Sequence, residues 1–149
     1  MADGFLDRLR QAAASARDAE DAFRRGYAER VRVLERERVF AHRRSGLLEA
    51  VAAAVAGAAD ADEAARRGRD ALAQKTGLSG ANEAHKVILD RFSPVTEAID
   101  EALNCEGEPD HDAVLARLAE FEDWFAARSG QPFLALFDVY AQETPVVDF

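Results

Sequence analysis

The feature of the sequence that most limits its fold is a proline-free stretch from residue 3 to residue 44, in which apolar residues alternate at spacings of three and four. This spacing places apolar side chains on one face of an α-helix, because about 3.6 residues make a turn. The stretch is therefore predicted to form one helix of about 60 Å. Its apolar positions are Leu6, Leu9, Ala13, Ala16, Phe23, Tyr27 and Leu34.

These apolar positions form a heptad-like seam, the pattern of helices that pair along their length. Glu20 and Arg30 occupy two seam positions, so the seam is imperfect. We predict that its large residues form the contact of a homodimer. They are Leu6, Leu9, Phe23, Tyr27 and Leu34. Alternatively, residues 47–75 fold back along the first helix and cover the seam within one chain.

Two further helices are predicted after the first. Ser45 and Gly46 indicate a break, followed by a short helix that ends near Gly57, although one uninterrupted helix to Ala59 is the alternative. Asp60 with Glu63 has the spacing of a capping box and predicts a helix from residue 61 to about residue 75. A glycine follows that helix, as is usual at a helix end.

The second half of the chain continues with helical patterns. Apolar residues keep one helical phase from residue 79 to residue 103 through Pro94, which favours a kinked helix over two helices capped at Ser93. A helix from about His111 to Arg128 and a short helix opened by Pro132 follow. Pro145 then predicts an extended tail over residues 143–149.

Together these patterns predict an all-α fold, an irregular bundle of five or six helices led by a long N-terminal helix and ending in an extended tail. We expect a single domain over residues 1–149, with the long helix over about 3–44 and the remaining helices over about 46–142. Alanine is abundant and β-branched residues are few, which favours helix over strand.

Charge and cysteine content limit the partners and the compartment. The formal net charge is −9, and residues 1–45 hold 11 arginines against 8 acids, so no strong basic excess is available to bind nucleic acid. The single Cys105 suits a reducing compartment, and neither a secretory signal nor an apolar segment of membrane-spanning length is apparent. We therefore expect a cytoplasmic protein with no nucleic-acid or membrane partner.

His85 followed by Lys86 resembles the phosphoacceptor helix of histidine phosphotransfer domains. The resemblance implies a signalling protein that carries a phosphoryl group on His85. The other interpretation is a partly buried structural histidine, because His85 precedes Ile88 and Phe92 by about one and two turns at the edge of an apolar stripe.

The stretch from Cys105 to Asp112 is rich in residue types that bind metals, and a small metal-binding or ligand-binding bundle is a further alternative. The simpler interpretation is that Asp110 caps a helix whose first turn holds Asp112. No sequence motif of a catalytic or cofactor site occurs, so we predict neither a metal nor a cofactor and lean against an enzyme.

Aromatic residues concentrate in the last 29 residues, which hold seven of the twelve. They are predicted either to build a core or to contact a partner protein. The candidate contact residues are Trp124, Phe133, Phe137 and Tyr140, together with Val147 and Phe149 of the tail. The function predicted from all these features is a non-catalytic helical protein–protein interaction module, such as an adaptor, chaperone or assembly factor, that acts as a homodimer with an unknown protein partner.

Overall fold

The computed structural model describes residues 2–137 and the side chains of residues 4–137, and it confirms the all-α class, with no strand in that part of the chain. The predictions for Tyr140, Val147, Phe149 and the tail concern residues outside the described part of the chain. The elements are α1 (Ala2–Val55), α2 (Ala61–Thr76), α3 (Glu83–Arg91), α4 (Ser93–Asn104), α5 (His111–Ser129) and a 3₁₀ turn (Phe133–Ala135).

Helix α1 runs for 54 residues without interruption, so the predicted break at Ser45 and Gly46 is wrong. The uninterrupted alternative is right about continuity, but the helix ends at Val55 and not at Ala59. A mid-helix glycine costs up to about 1 kcal/mol relative to alanine. Leu47 and Val51, which follow it, are fully buried, and their burial outweighs that cost. The helix ends just before Gly57, which has the left-handed backbone (φ 78°) that glycine adopts without strain.

Contacts divide the chain into a first unit, Met1–Val39, and a second unit, Phe40–Phe149. In the described part, the first unit consists of α1 alone, and every side chain from Gly4 to Arg38 is exposed. Ion pairs one turn apart stabilise this helix only weakly, because both partners are exposed to solvent. Examples are Glu20 with Arg24 at 2.8 Å and Glu35 with Arg38 at 2.6 Å. The single domain predicted for residues 1–149 stays a prediction.

The predicted capping box starts α2. The Asp60 carboxylate accepts a hydrogen bond from the Glu63 amide at 2.8 Å, and the Glu63 carboxylate accepts one from the Ala59 amide at 2.7 Å. The second bond reaches one residue further back than a standard capping box. Helix α2 then ends at Thr76, where Gly77 is left-handed (φ 74°).

The capping role of Glu63 predicts a pH-dependent stability. The hydrogen bond from the Ala59 amide, aided by Arg67, lowers the pKa of Glu63 below its usual 4.5. The stabilisation is therefore complete above pH 4.5 and is lost as the pH falls through the lowered pKa. Thermal unfolding recorded from pH 7 to pH 3 should show a smaller loss of melting temperature for Glu63→Gln than for the wild type. An identical loss in both proteins would contradict this role.

Helices α3 and α4 are separated by a single residue, Phe92, so the predicted kinked helix is in fact two helices. Proline lacks an amide hydrogen, and Pro94 lies in the first turn of α4, where that hydrogen has no helical partner. Phe92 itself keeps right-handed helical angles, which explains the unbroken apolar phase across the junction. The first of the two helices begins after Asn82 rather than at Ser79, because the Asn82 side chain accepts the amide of Ala84 at 3.0 Å.

The second unit is held together by an apolar core to which α1 contributes Leu47, Val51 and Val55. Two arginines fix this end of α1. Arg43 donates to the carbonyl of Leu134 at 2.8 Å, and Arg44 forms a two-pronged ion pair with Glu122 of α5, at 3.0 and 2.9 Å. Phe92, Phe121, Phe125 and Phe133 fill the interior next to α5.

Candidate interaction surface

The most unusual surface in the described chain is an apolar face on the first unit. Its large side chains are between 56 and 71% exposed. They are Phe5, Leu9, Phe23, Tyr27 and Leu34. Together with Ala12 and Ala16 between them, these residues are called the apolar face below. Monomeric proteins rarely expose contiguous apolar patches larger than a few hundred Å², so this face is the candidate interaction surface of the described chain.

The geometry of an α-helix aligns these residues. Residues 18 apart in sequence are about five full turns apart, so Phe5 lies in line with Phe23, and Leu9 with Tyr27. By the same geometry Leu6 is displaced by about 80° from the middle of the face, and we place it on the border of the surface. The sequence prediction missed Phe5, because it followed a heptad starting at Leu6. The 18-residue repeat is the signal that identifies Phe5.

The two sides of the apolar face differ in charge between residues 15 and 26. One side carries Arg17, Glu20 and Arg24, called the charged flank below, in which Glu20 and Arg24 are ion-paired. The other side, the uncharged flank, consists of Ser15, Ala19, Ala22 and Gly26. The position of each residue follows from a rotation of about 100° per residue around the helix.

The predicted aromatic contact residues fall in two different environments. Phe133 has no exposed surface and Phe137 only 8%, so both fill the core of the second unit, in agreement with the core interpretation and not with partner contact. The reason is that the turn after Pro132 directs both rings inward, where they meet edge to face at 6.0 Å.

Trp124 differs from these two residues because it is half-buried at the surface of α5. The guanidinium groups of Arg91 and Arg128 lie 5.4 and 5.8 Å from the centre of its ring, within the range of cation–π contacts. Tryptophan and arginine are the residue types most enriched among the residues that dominate binding energy in interfaces. Trp124 thus stays a candidate contact for a partner protein.

An open groove of about 390 Å³ lies between α3, α4 and α5, next to Trp124. Its rim carries two acids and two arginines, Asp90, Glu120, Arg91 and Arg117. Asp90 is paired with Arg69, and Glu120 lies 3.3 Å from Arg117, so the charges are largely balanced within the protein. Both carboxylates of the groove therefore have an arginine as partner.

The structure gives local roles to the other residues that the sequence analysis identified. The His85 ring nitrogen Nδ1 accepts a hydrogen bond from the Ser79 amide at 3.0 Å, and the side chain is half-buried. Asp110 caps α5 as predicted, accepting the Ala113 amide at 3.0 Å. Cys105 is exposed. Within the described residues no three His, Cys, Asp or Glu side chains converge on a common point where a metal ion could sit.

Searches beyond the chain itself give no relative. None of the helices described here is long and apolar enough to cross a membrane. Comparison with protein-family models, with curated proteins and with solved structures finds no match for the chain.

Proposed function

We propose that this chain is a non-catalytic helical interaction module, of the adaptor, chaperone or assembly-factor kind, and that it associates as a homodimer through the apolar face of α1. The proposal places it in the cytoplasm, with a second contact to a partner protein around Trp124. We further propose that the chain forms a bundle of five or six helices with an extended tail over residues 143–149.

One observation carries the proposal. The 35 consecutive residues from Gly4 to Arg38 are helical and expose every side chain, including the five large members of the apolar face. Most helical stability in proteins comes from packing an amphipathic face, and an isolated helix is only marginally stable. A helix of this length with an uncovered apolar face therefore gains stability when another molecule covers that face.

The apolar content of the surface argues for association over catalysis. Burying a leucine or phenylalanine side chain contributes about 1.5 to 3 kcal/mol. Five such side chains on one face offset the cost of bringing two molecules together, which is estimated at about 4 to 15 kcal/mol. The described residues, by contrast, offer no group of side chains arranged for chemistry.

The experiment that tests this proposal removes two members of the apolar face. Phe23→Asp combined with Tyr27→Asp puts two charges into the contact, so the dissociation constant should rise by more than about 100-fold. Multi-angle light scattering at tens of micromolar should then give a dimer for the wild type and a monomer for the variant. Far-ultraviolet circular dichroism checks that helicity is retained.

A matched control uses the same helix. Gln11→Asp combined with Ala14→Asp introduces two equal charges at exposed positions about 140° or more from the middle of the apolar face. This control should remain dimeric. A wild-type monomer would refute the proposal, as would a Phe23→Asp, Tyr27→Asp variant that stays dimeric.

A further inference from the structure

We propose that the two copies pair antiparallel along α1, with Phe5 opposite Leu34 of the partner subunit and Ala16 opposite Phe23 of the partner subunit. In this register the numbers of two facing residues add up to about 39. The inference rests on the proposed homodimer and adds to it the direction and the register of the pairing. It uses only residues of the first unit.

Side-chain size is the first argument for this arrangement. The side chains of the apolar face are small on one side of its centre, at Ala12 and Ala16. They are aromatic on the other side, at Phe23 and Tyr27. Antiparallel pairing places each alanine opposite an aromatic ring of the partner subunit. The two layers on each side of the centre, Ala12 with Tyr27 and Ala16 with Phe23, then each hold one large and one small residue, so they require the same distance between the helix axes. In the outer layers Phe5 meets Leu34, and Leu9 meets the aliphatic part of Arg30, whose charged end can reach the solvent.

A parallel, in-register pair lacks this match. Each alanine would face an alanine, and each aromatic ring would face the same ring of the other copy. Axis distances between packed helices range from about 8 to 10 Å according to side-chain size. The alanine layers and the aromatic layers would therefore require different distances on the same pair of helices. Arg30 would also lie beside Arg30 of the partner subunit, with repulsion between like charges.

Charge is the second argument. In an antiparallel pair each flank of one helix faces the same flank of the other, so the charged flank meets the charged flank. Arg17 then lies within one turn of Glu20 of the partner subunit, and symmetry creates this contact twice. In a parallel pair the charged flank would face the uncharged flank of residues 15 to 26, and Arg17 would have no acid opposite.

The exposed apolar area of this face is close to the area that each partner buries in a stable dimer. Val31 lies on the same border as Leu6, about 60° from the middle of the face. With these two, the face and its border contain three aromatic and four aliphatic side chains that are 44 to 71% exposed. They present on the order of 700 Å² of apolar surface. Stable interfaces of standard size bury about 800 Å² on each partner, so two copies of this face, with their flanks, reach that size.

Disulfide cross-linking tests the register in a Cys105→Ser background, where no other thiol is present. Ala12→Cys and Tyr27→Cys are prepared as separate full-length chains and oxidised alone or after mixing and subunit exchange. In the antiparallel register, residue 12 faces residue 27 of the partner subunit. Two copies of residue 12 lie about 22 Å apart, beyond the reach of a disulfide. Cross-linked dimer is therefore expected only in the mixture.

The other outcomes separate the two proposals. Cross-linking of Ala12→Cys with itself shows a parallel pair, and a dimer that cross-links in no sample has another register. Either result overturns the antiparallel inference while the homodimer stands. A wild-type monomer in light scattering overturns both.

A second measurement applies if Tyr27→Cys weakens the dimer. Arg32 lies on the side of α1 opposite the apolar face. In the same Cys105→Ser background, Arg32→Cys can carry a spin label without altering the contact. Pulsed electron paramagnetic resonance should give a label separation above about 38 Å for the antiparallel pair. A separation of about two helix diameters, roughly 20 to 25 Å, indicates a parallel pair and overturns the inference.

Discussion

Replacing Phe133 with alanine is expected to lower the free energy of unfolding of the second unit by about 3 to 5 kcal/mol. The ring of Phe133 has no exposed surface, and its centre lies 4.7 Å from that of Phe121 and 5.4 Å from that of Phe125. Both pairs are close to perpendicular, an arrangement that aromatic rings favour. The substitution loses this packing and leaves a cavity that the surrounding helices fill only in part.

Urea unfolding followed by circular dichroism and by the fluorescence of Trp124 measures this effect. Leu115→Ala is the control, because Leu115 lies on α5 with half of its surface exposed, and a surface substitution usually changes stability by less than about 0.5 kcal/mol. A loss below about 1 kcal/mol for Phe133→Ala would contradict its position in the core. Phe133 would then again be a candidate for contact with a partner protein.

The second large effect is expected at Gly68, where α2 packs against Thr96 of α4. A Cβ atom added at Gly68 would come closer than 3.0 Å to the γ atoms of Thr96, which is itself buried. Threonine is branched at Cβ and has few alternative rotamers, so the helices must separate. Gly68→Ala should therefore destabilise the protein by about 1 to 3 kcal/mol, although alanine is the better helix former by about 1 kcal/mol.

Two further variants test the cause of this effect. Gly46→Ala changes another helical glycine, around which no atom lies within 4 Å of the added Cβ, and it should stabilise the protein by up to about 1 kcal/mol. Thr96→Ala removes the atoms that clash. In a double-mutant cycle, Gly68→Ala should cost less in the Thr96→Ala background than alone. Equal costs in both backgrounds would mean that the contact with Thr96 is not the cause.

The candidate interaction surface was predicted in part from the sequence. Leu9, Phe23, Tyr27 and Leu34 lie on one exposed face of α1, as the spacing of three and four residues predicted. Phe5 was missed and Leu6 lies on the border, because a heptad repeat rotates slowly against a helix of about 3.6 residues per turn. The role of this face in dimer formation stays a prediction.

The sequence by itself determined the helical class and most helix ends. Helix periodicity, the Asp60–Glu63 pair and the cap at Asp110 all depend on interactions within about four residues, which a sequence displays directly. Only the tertiary structure decided that α1 continues through Gly46, that Phe133 is buried while Trp124 reaches the surface, and that Gly68 contacts Thr96. These outcomes depend on which faces of distant helices pack together. Burial energy gained across the chain is larger than the local preferences that a sequence reveals, so it can override them.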